Sequence, residues 1–452
     1  MVILMVQKNS YKKLKKNILL NSKKYFFEKL EKFSNREAII TEDSKIITYK
    51  ELLTNIKEIE KIIKKQRNRI FLLADNSFEF LICYYAMLRK RSISFLLNSR
   101  LEKNKIYELI KIYKPHFIFD CEGLHDEKKK EYNLIKVFNN LKVFEIKSKI
   151  NYRYNNELAQ LISTSGSTGS PKFVKQSFEN IQINTRDIVK SLKLNKNDKT
   201  ITTMNPSYTY GLTKINTHIY VGGTIILNKK TLFDKEFWNK IKKFKVTNFG
   251  GVPFFFEILK KLNFHKFNLK NLKHITQAGG KLNLETLKYI YKKTKELKIK
   301  FYVMYGQTEA GPRITILNYK YLDEKINSVG KPIGKNQLWL QDKNGKKIKE
   351  SNVIGDLYCK GKNVMIGYAY NLKDLEKKQV NNYINTGDLA YRDKNGFYYI
   401  AGRARRVIKP FGLRIDLEEL ERYLESKNFI NCVCIGNDRK INIYSKYMDE
   451  IS

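Results

Sequence analysis

Cysteine is scarce in this chain and follows no pairing pattern. The five residues, Cys83, Cys121, Cys359, Cys432 and Cys434, include no C-x-x-C pair. An odd number without metal-ligand spacing argues against a disulfide or zinc framework and for reduced thiols of the cytosol. The five histidines are scattered, and none stands at metal-ligand spacing from a cysteine or another histidine. Long apolar runs are missing too: none approaches the ~20 residues that a bilayer-crossing helix needs. The opening MVILMV is too brief for a signal-peptide core and runs on into lysines, not a small-residue cleavage site. The expectation is a cytoplasmic protein without a membrane span.

Acidic residues are the other shortage. Eighty-seven Lys and Arg stand against 45 Asp and Glu, a formal net charge of +42. Such a balance suits a polyanionic partner. The basic residues are spread over the whole chain, however, and accompany abundant Asn and Ile, as compositional drift in an AT-rich coding sequence would produce. No helix-turn-helix, RNP-like aromatic pair or zinc finger accompanies the charge, so no specific nucleic-acid partner is expected. An acidic protein partner is the third reading of the same excess.

What is present is a large apolar content. With 452 residues, 42% hydrophobic and 13% aromatic, the chain can bury two or three cores. RIFLLAD (69–75) reads as a buried strand, 76–91 as a helix, SISFLLN (92–98) as a strand, 103–113 as a helix and HFIFD (116–120) as a strand. Thr48 precedes Glu51 by three, a capping box at a helix start. The alternation resumes with strands near 200–204, 224–227, 246–249, 273–277 and 300–304, separated by helices at 234–244, 253–262 and 283–298. Repetition of this kind predicts parallel sheet covered by helices. After residue 335 the pattern changes: LWLQDKNGKKI and YRDKNGFYYIAGR each place Asn-Gly between apolar residues, the mark of antiparallel hairpins. GRARR at 402–406 then separates a hairpin from VIKPFGLRIDLEELERYL, where Asp416 and Glu419 bracket a helix start.

One loop reads either as a phosphate cradle or as a flexible connector. LISTSGSTGSPKFVKQS (161–177) leaves an apolar strand for a run of Ser, Thr and Gly closed by Pro-Lys. Its glycines let the backbone fold around a ligand with amides turned inward, its hydroxyls donate, and Lys172 supplies positive charge: the parts of a phosphate cradle. It lacks the Gly-Lys-Ser/Thr ending of a P-loop.

The string TSGSTGSPK (164–172) resembles the phosphate-loop signature of the adenylate-forming superfamily of acyl-CoA synthetases, adenylation domains and luciferase-like enzymes. Further segments resemble other motifs of that family, in order: QAGGKLN (277–283), MYGQTEA (304–310), GDLYCKGKNVMIGY (355–368), NTGDLA (385–390) and GRARRVIKPFGLRIDLEELE (402–421). The resemblance implies an α/β fold: a large N-terminal domain (1–402) of mixed, mainly parallel sheets sandwiched by helices with a small β-barrel-like subdomain, then a short, incomplete α+β C-terminal domain (403–452).

The resemblance also implies roles. Thr164, Ser165, Gly166, Ser167, Thr168, Gly169 and Lys172 would hold the β- and γ-phosphates of ATP. Tyr305, with Gly306 after it, would stack on adenine, and Gly279 and Gly280 would border the base. Thr308 would contact the α-phosphate, and Glu309 would ligate Mg²⁺ with Thr168 nearby. Asp388 would accept from the ribose hydroxyls and Arg403 would donate to them. By the same resemblance Lys172, Thr308, Glu309 and Arg403 would be the catalytic set. Arg405 stands at the hinge, and Gly412 would line a pantetheine tunnel. NPSYTYGL (205–212), with Tyr208 and Tyr210, and FGGVPFFFEIL (249–259) would wall the acid pocket and suit a modest, partly polar carboxylic acid.

The implied reaction is activation of a small carboxylic acid to acyl-AMP with release of pyrophosphate. Transfer would follow to a thiol of CoA or of the phosphopantetheine on an acidic acyl carrier protein. Two departures stand against the family pattern. Only 47 residues follow Arg405, and no N-G-K-x-x-R motif with its reactive lysine is found among them. A non-catalytic nucleotide-binding or carrier-docking scaffold on the same fold is therefore the alternative. LRKRSIS (88–94) also replaces the small Gly/Ala turn of relatives.

Overall fold

The computed structural model describes residues 25–63, 67–121, 132–146, 152–163, 172–379, 381–403, 407–408, 410, 415–426 and 432–445. Three sheets organise them. In the first, six neighbouring strands run parallel: Lys300–Tyr305, His274–Gln277, Asn248–Gly251, Lys199–Ile201, Thr224–Ile226 and Glu37–Ile40. Antiparallel strands close both edges, Thr315–Leu317 with Lys331–Pro332 on one side and Ile46–Thr48 on the other. The second sheet centres on the parallel strands Leu158–Ser163, Ile93–Asn98, Arg69–Ala74 and Phe117–Asp120. Every residue of Arg69–Ala74 is buried, as a parallel strand covered on both faces requires. The third sheet is wholly antiparallel, in the order Lys347–Ile348, Gln337–Gln341, Gly355–Lys360, Tyr383–Arg392 and Tyr398–Arg403.

The helix Phe78–Arg89 explains how the first two sheets share a core. Ten of its residues in succession, Glu79 to Leu88, are buried, the pattern of a helix surrounded by protein and not of a surface helix. Its apolar side chains join Ile39 and Ile225 of one sheet with Ile70 and Leu72 of the other in one cluster. Thr48 caps the helix Tyr49–Ile62 through the expected box: its hydroxyl accepts from the Glu51 amide while the Glu51 carboxylate accepts from the Thr48 amide. Both Asn-Gly pairs sit in hairpin turns, with Gly345 and Gly396 at φ +80°. The departure at 88–94 has a physical account: Arg91 adopts φ +53°, but its guanidinium pairs with Glu28 at 2.6 Å and lies 4.7 Å from the Tyr25 and Phe178 rings. Those contacts offset the left-handed backbone that a glycine would have taken without strain.

Residues 407–445 include a two-stranded ribbon (Val407–Ile408 with Ile415–Asp416), the helix Leu417–Ser426 and the hairpin Val433–Gly436/Ile441–Tyr444. Ile408, Leu417 and Cys434 form its small core. None of the five cysteines is in a disulfide, and all are buried. Among the described residues no helix is long and apolar enough to cross a membrane.

Beneath the helix Thr209–Val221 lies a buried polar chain. The His218 ring donates from Nδ1 to the Lys214 carbonyl (2.8 Å) and accepts at Nε2 from the Asn248 amide (2.9 Å). Asn248 Oδ1 in turn accepts from the Lys214 ammonium. Burial first, and the nearby Lys214 charge second, push the His218 pKa down to about 3. Between pH ~6.5, the ordinary imidazole value, and about 3, the unfolded chain binds a proton that the fold refuses, so stability falls as pH drops through that window. Urea unfolding at pH 7 and pH 5 should therefore show a smaller loss for His218→Gln than for the parent. The difference is at most about 1.4 kcal/mol per pH unit, and equal losses would contradict this account.

Candidate nucleotide site

Asp388 and Arg403 face each other across the last two strands of the antiparallel sheet, where the register pairs them directly. Cross-strand partners stand close enough for their side chains to meet, and Arg403 Nε lies 3.1 Å from Asp388 Oδ1. The other carboxylate oxygen accepts from the Tyr305 hydroxyl at 2.6 Å. Tyr305 ends the strand Lys300–Tyr305, so this carboxylate ties the antiparallel sheet to the large parallel one. Burial, and then the Asp388 charge, push the Tyr305 pKa well above its ordinary value; the phenol keeps its proton and acts as donor.

These three side chains line a cavity of about 290 Å³ together with Gly279, Gly280, Gly306, Lys281, Val329, Ile400 and Asp438. Size and lining match a small-ligand site, apolar walls with a few convergent polar groups. Two glycines are needed for its shape. Gly279 holds φ +89°, a conformation that L side chains rarely adopt. A Cβ on Gly306 would stand 2.5 Å from the Pro312 carbonyl oxygen, so only glycine lets this turn close.

Beyond Gly306 the chain makes the short turn Thr308–Ala310. Its carbonyls are held from three directions: Gln176 donates to Thr308 (3.0 Å), the Met365 amide donates to Glu309 (2.8 Å), and the Asn363 amide group donates to Ala310. The Glu309 side chain is thereby fixed in a buried position, where its carboxylate accepts from the Tyr368 hydroxyl at 3.0 Å. Lys172 Nζ lies 4.0 Å from the centre of the same Tyr368 ring. Tyr368 thus joins the lysine that follows the Ser/Gly loop to the buried carboxylate. A carboxylate that shares the ion with the oxygens of a triphosphate is a donor set that suits Mg²⁺.

The strands flanking the loop, Leu158–Ser163 and Phe173–Ser177, pair antiparallel with Ser163 opposite Phe173. The loop residues Thr164, Ser165, Gly166, Ser167, Thr168 and Gly169 lie outside the described residues, as do Arg405 and Gly412. Thr308 Oγ1 is 3.4 Å from Thr209 Oγ1, which places the start of the helix Thr209–Val221, with Tyr208 before it, beside the turn. Tyr210 is engaged elsewhere: its hydroxyl binds Thr276 at 2.8 Å and its ring lies under the Arg313 guanidinium at 4.7 Å. The phenylalanine row divides, with Phe256 fully buried in the core and Phe254 44% exposed.

The structure thus gathers Gly279, Gly280, Tyr305, Gly306, Asp388 and Arg403 around one cavity, and Lys172, Thr308 and Glu309 along one adjoining edge. Sequence reasoning assigned no role to Tyr368 or Asp438. Tyr368 carried a signal, as the tyrosine closing the glycine-tyrosine segment; Asp438 carried none.

The profile of the AMP-binding enzyme family matches residues 26–369. The chain belongs to that family. It is 27% identical over 400 residues to 2-succinylbenzoate–CoA ligase of Oceanobacillus iheyensis, covering 86% of this chain and 81% of that protein. Among solved structures it is similar to a double mutant of o-succinylbenzoate CoA synthetase (MenE) from Bacillus subtilis bound with a product analogue. The TM-score is 0.77 at 21% identity, over 93% of this chain and 87% of that one. The complex of the same Bacillus subtilis enzyme with ATP and magnesium gives 0.68 at 22% identity, over 93% and 89%. At these identities the structural likeness establishes the adenylate-forming fold.

Replacing Asp388 by Asn keeps the size of the side chain but removes the charge that Tyr305 and Arg403 share. A hydrogen bond involving a charged group contributes about 1.5–3 kcal/mol, so calorimetry should find ATP bound about 10- to 100-fold more weakly by Asp388→Asn. An unchanged affinity would place the nucleotide elsewhere.

Proposed function

We propose that this protein is an ATP-dependent acid–thiol ligase that converts a 2-succinylbenzoate-type aromatic dicarboxylic acid to its acyl-adenylate and then to its coenzyme A thioester. The observation that carries the reading is the continuous run of groups from Asp388 through Tyr305 and Thr308 to Glu309, Tyr368 and Lys172. Tyr305 and Gly306 line a cavity suited to base and ribose, and the chain runs directly from them into the turn that carries the Glu309 carboxylate, with Tyr368 and Lys172 beside it.

These groups suit the adenylation step. A carboxylic acid is ionised at neutral pH and attacks the α-phosphate without a general base. The work is alignment of the two reactants and neutralisation of charge as pyrophosphate departs. Asp388 accepts from the ribose hydroxyls with Arg403 beside it, while Tyr305 stacks on the base against Gly279 and Gly280. Thr308 donates to the α-phosphate; Thr164, Ser165, Gly166, Ser167, Thr168, Gly169 and Lys172 hold the β- and γ-phosphates. Glu309, with Thr168, is the ligand set for magnesium, which when bound offsets triphosphate charge. Tyr368 holds Glu309 and Lys172 in register with each other. The contact between Thr209 and Thr308 supports placing the acid next to Tyr208, at the reacting end.

The substrate class rests on the relatives named 2-succinylbenzoate–CoA ligase, most of whose length this chain matches. The same names favour coenzyme A over a carrier protein as the acceptor. We place the division between the two domains at 402/403, just before the second ribose-binding side chain.

The test is pyrophosphate release from Mg-ATP with 2-succinylbenzoate, benzoate, succinate and a fatty acid as separate substrates. Release with 2-succinylbenzoate is expected, together with a fall in kcat of at least about a hundredfold in Glu309→Gln and little change in KM for the acid. Release with another acid would redirect the substrate assignment; none from any acid, with ATP bound, would overturn the ligase reading.

A further inference from the structure

The antiparallel sheet has two unlike faces. Along Gln337–Gln341, Gly355–Lys360 and Tyr383–Arg392 the inward side chains Leu340, Leu357, Cys359 and Ile384 are buried in the core. Alternate side chains point the other way, and three of those are aromatic. The register sets Trp339 opposite Tyr358 and Tyr358 opposite Asn385; in the adjoining row Lys360 stands opposite both Gln337 and Tyr383. The Trp339 and Tyr358 rings are stacked, with centres 5.4 Å apart and 17° between their planes. Tyr383 leans towards both, at 5.9 and 6.5 Å. None of the three is buried: Tyr383 is 38% exposed, and Trp339 and Tyr358 are half-buried. The Tyr383 hydroxyl accepts from the Asn381 side-chain amide at 3.4 Å, so the ring is the part that faces solvent.

Positive charge surrounds this cluster. Lys347 Nζ lies 4.9 Å from the centre of the Trp339 ring, and it ends the turn KNGKK, which also carries the exposed Lys343 and Lys346. Lys360, likewise exposed, shares the row of Tyr383. The nearby acids do not cancel this field. The Asp342 carboxylate accepts from the Asn344 and Lys346 amides and so closes the turn, while Asp356 stands opposite Gln341, in the row farthest from Tyr383. Clustered aromatic rings on an outer face mark an interaction surface, and the lysines give that surface a sign.

From this juxtaposition we infer that the outer face of the sheet binds single-stranded nucleic acid without sequence preference. Every base has a π-face that can stack on Tyr383, and the phosphates between bases meet Lys347 and Lys360. A duplex offers the same phosphates, but its bases are stacked on one another and cannot reach the ring. An acidic protein would use the lysines and leave the aromatic cluster without a role. The face is also separate from the nucleotide cavity: Asp388 belongs to the buried, inward row of the strand Tyr383–Arg392. A strand and ATP can therefore be held together.

The experiment is anisotropy of a labelled oligothymidylate, and of a duplex of equal length, titrated with the full chain at low and moderate salt. Tyr383 is exposed, so its replacement leaves the core untouched. Tyr383→Ala should weaken the single strand about tenfold and leave the duplex unchanged, while Tyr383→Phe, which keeps the ring, should bind as the parent does. Lys347→Ala with Lys360→Ala should flatten the salt dependence, because fewer counterions are released. A direct readout is available, since the chain has two tryptophans and Trp238 is stacked on Phe267 in another part of the fold. In Trp238→Phe the remaining Trp339 emission should be quenched by the oligothymidylate and not by the duplex. Duplex bound as tightly as single strand, single-strand affinity unchanged in Tyr383→Ala, or displacement of the strand by ATP would each overturn the proposal.

Discussion

The buried carboxylate of Asp388 has to be satisfied from two directions, and much of the architecture around the cavity follows from that requirement. A carboxylate taken out of water is costly unless charge and hydrogen bonds surround it. Here the cation comes from Arg403, the directly paired residue of the neighbouring strand, and the hydrogen bond from Tyr305, at the end of a strand in another sheet. The two sheets must therefore meet at a fixed angle and depth. The meeting is reinforced where the Val329 amide donates to the Tyr398 carbonyl and the Tyr398 amide donates to Gly330. The cavity is the space left between two sheets joined by that shared side chain and by the backbone bridge of Gly330 with Tyr398.

The edge that carries Thr308 and Glu309 follows a similar logic with different parts. Thr308 to Ala310 form a turn too short to hold itself, so each carbonyl is held by a donor from elsewhere. Gln176 belongs to the strand that leaves the Ser/Gly loop, and Met365 and Asn363 belong to the segment that ends in Tyr368. The residues that brace the turn are thus covalently close to those that would hold phosphate. A shift of the loop would be felt at Glu309 through Gln176 and Tyr368. Positioning of this kind is what in-line transfer needs when charge and alignment supply most of the rate.

Much of this was legible in the sequence. The alternation of apolar strands with amphipathic helices, the Asn-Gly turns and the Thr48–Glu51 cap depend on local chemistry, and each appears where the residues place it. The motif residues were legible as well, because a glycine such as Gly306 or Gly279 is demanded by the backbone at its own position. Tertiary structure alone decided what these residues do together. That Tyr305 gives its hydroxyl to Asp388, 83 positions away, depends on how two sheets pack. That Tyr210 is engaged with Thr276 and Arg313, leaving Tyr208 nearer the turn Thr308–Ala310, depends on the depth at which one helix is buried. Asp438 is the plainest case: an acidic residue in a polar turn has no periodicity and no motif. Its place over the cavity comes from the docking of one unit on another, a contact that local sequence cannot encode.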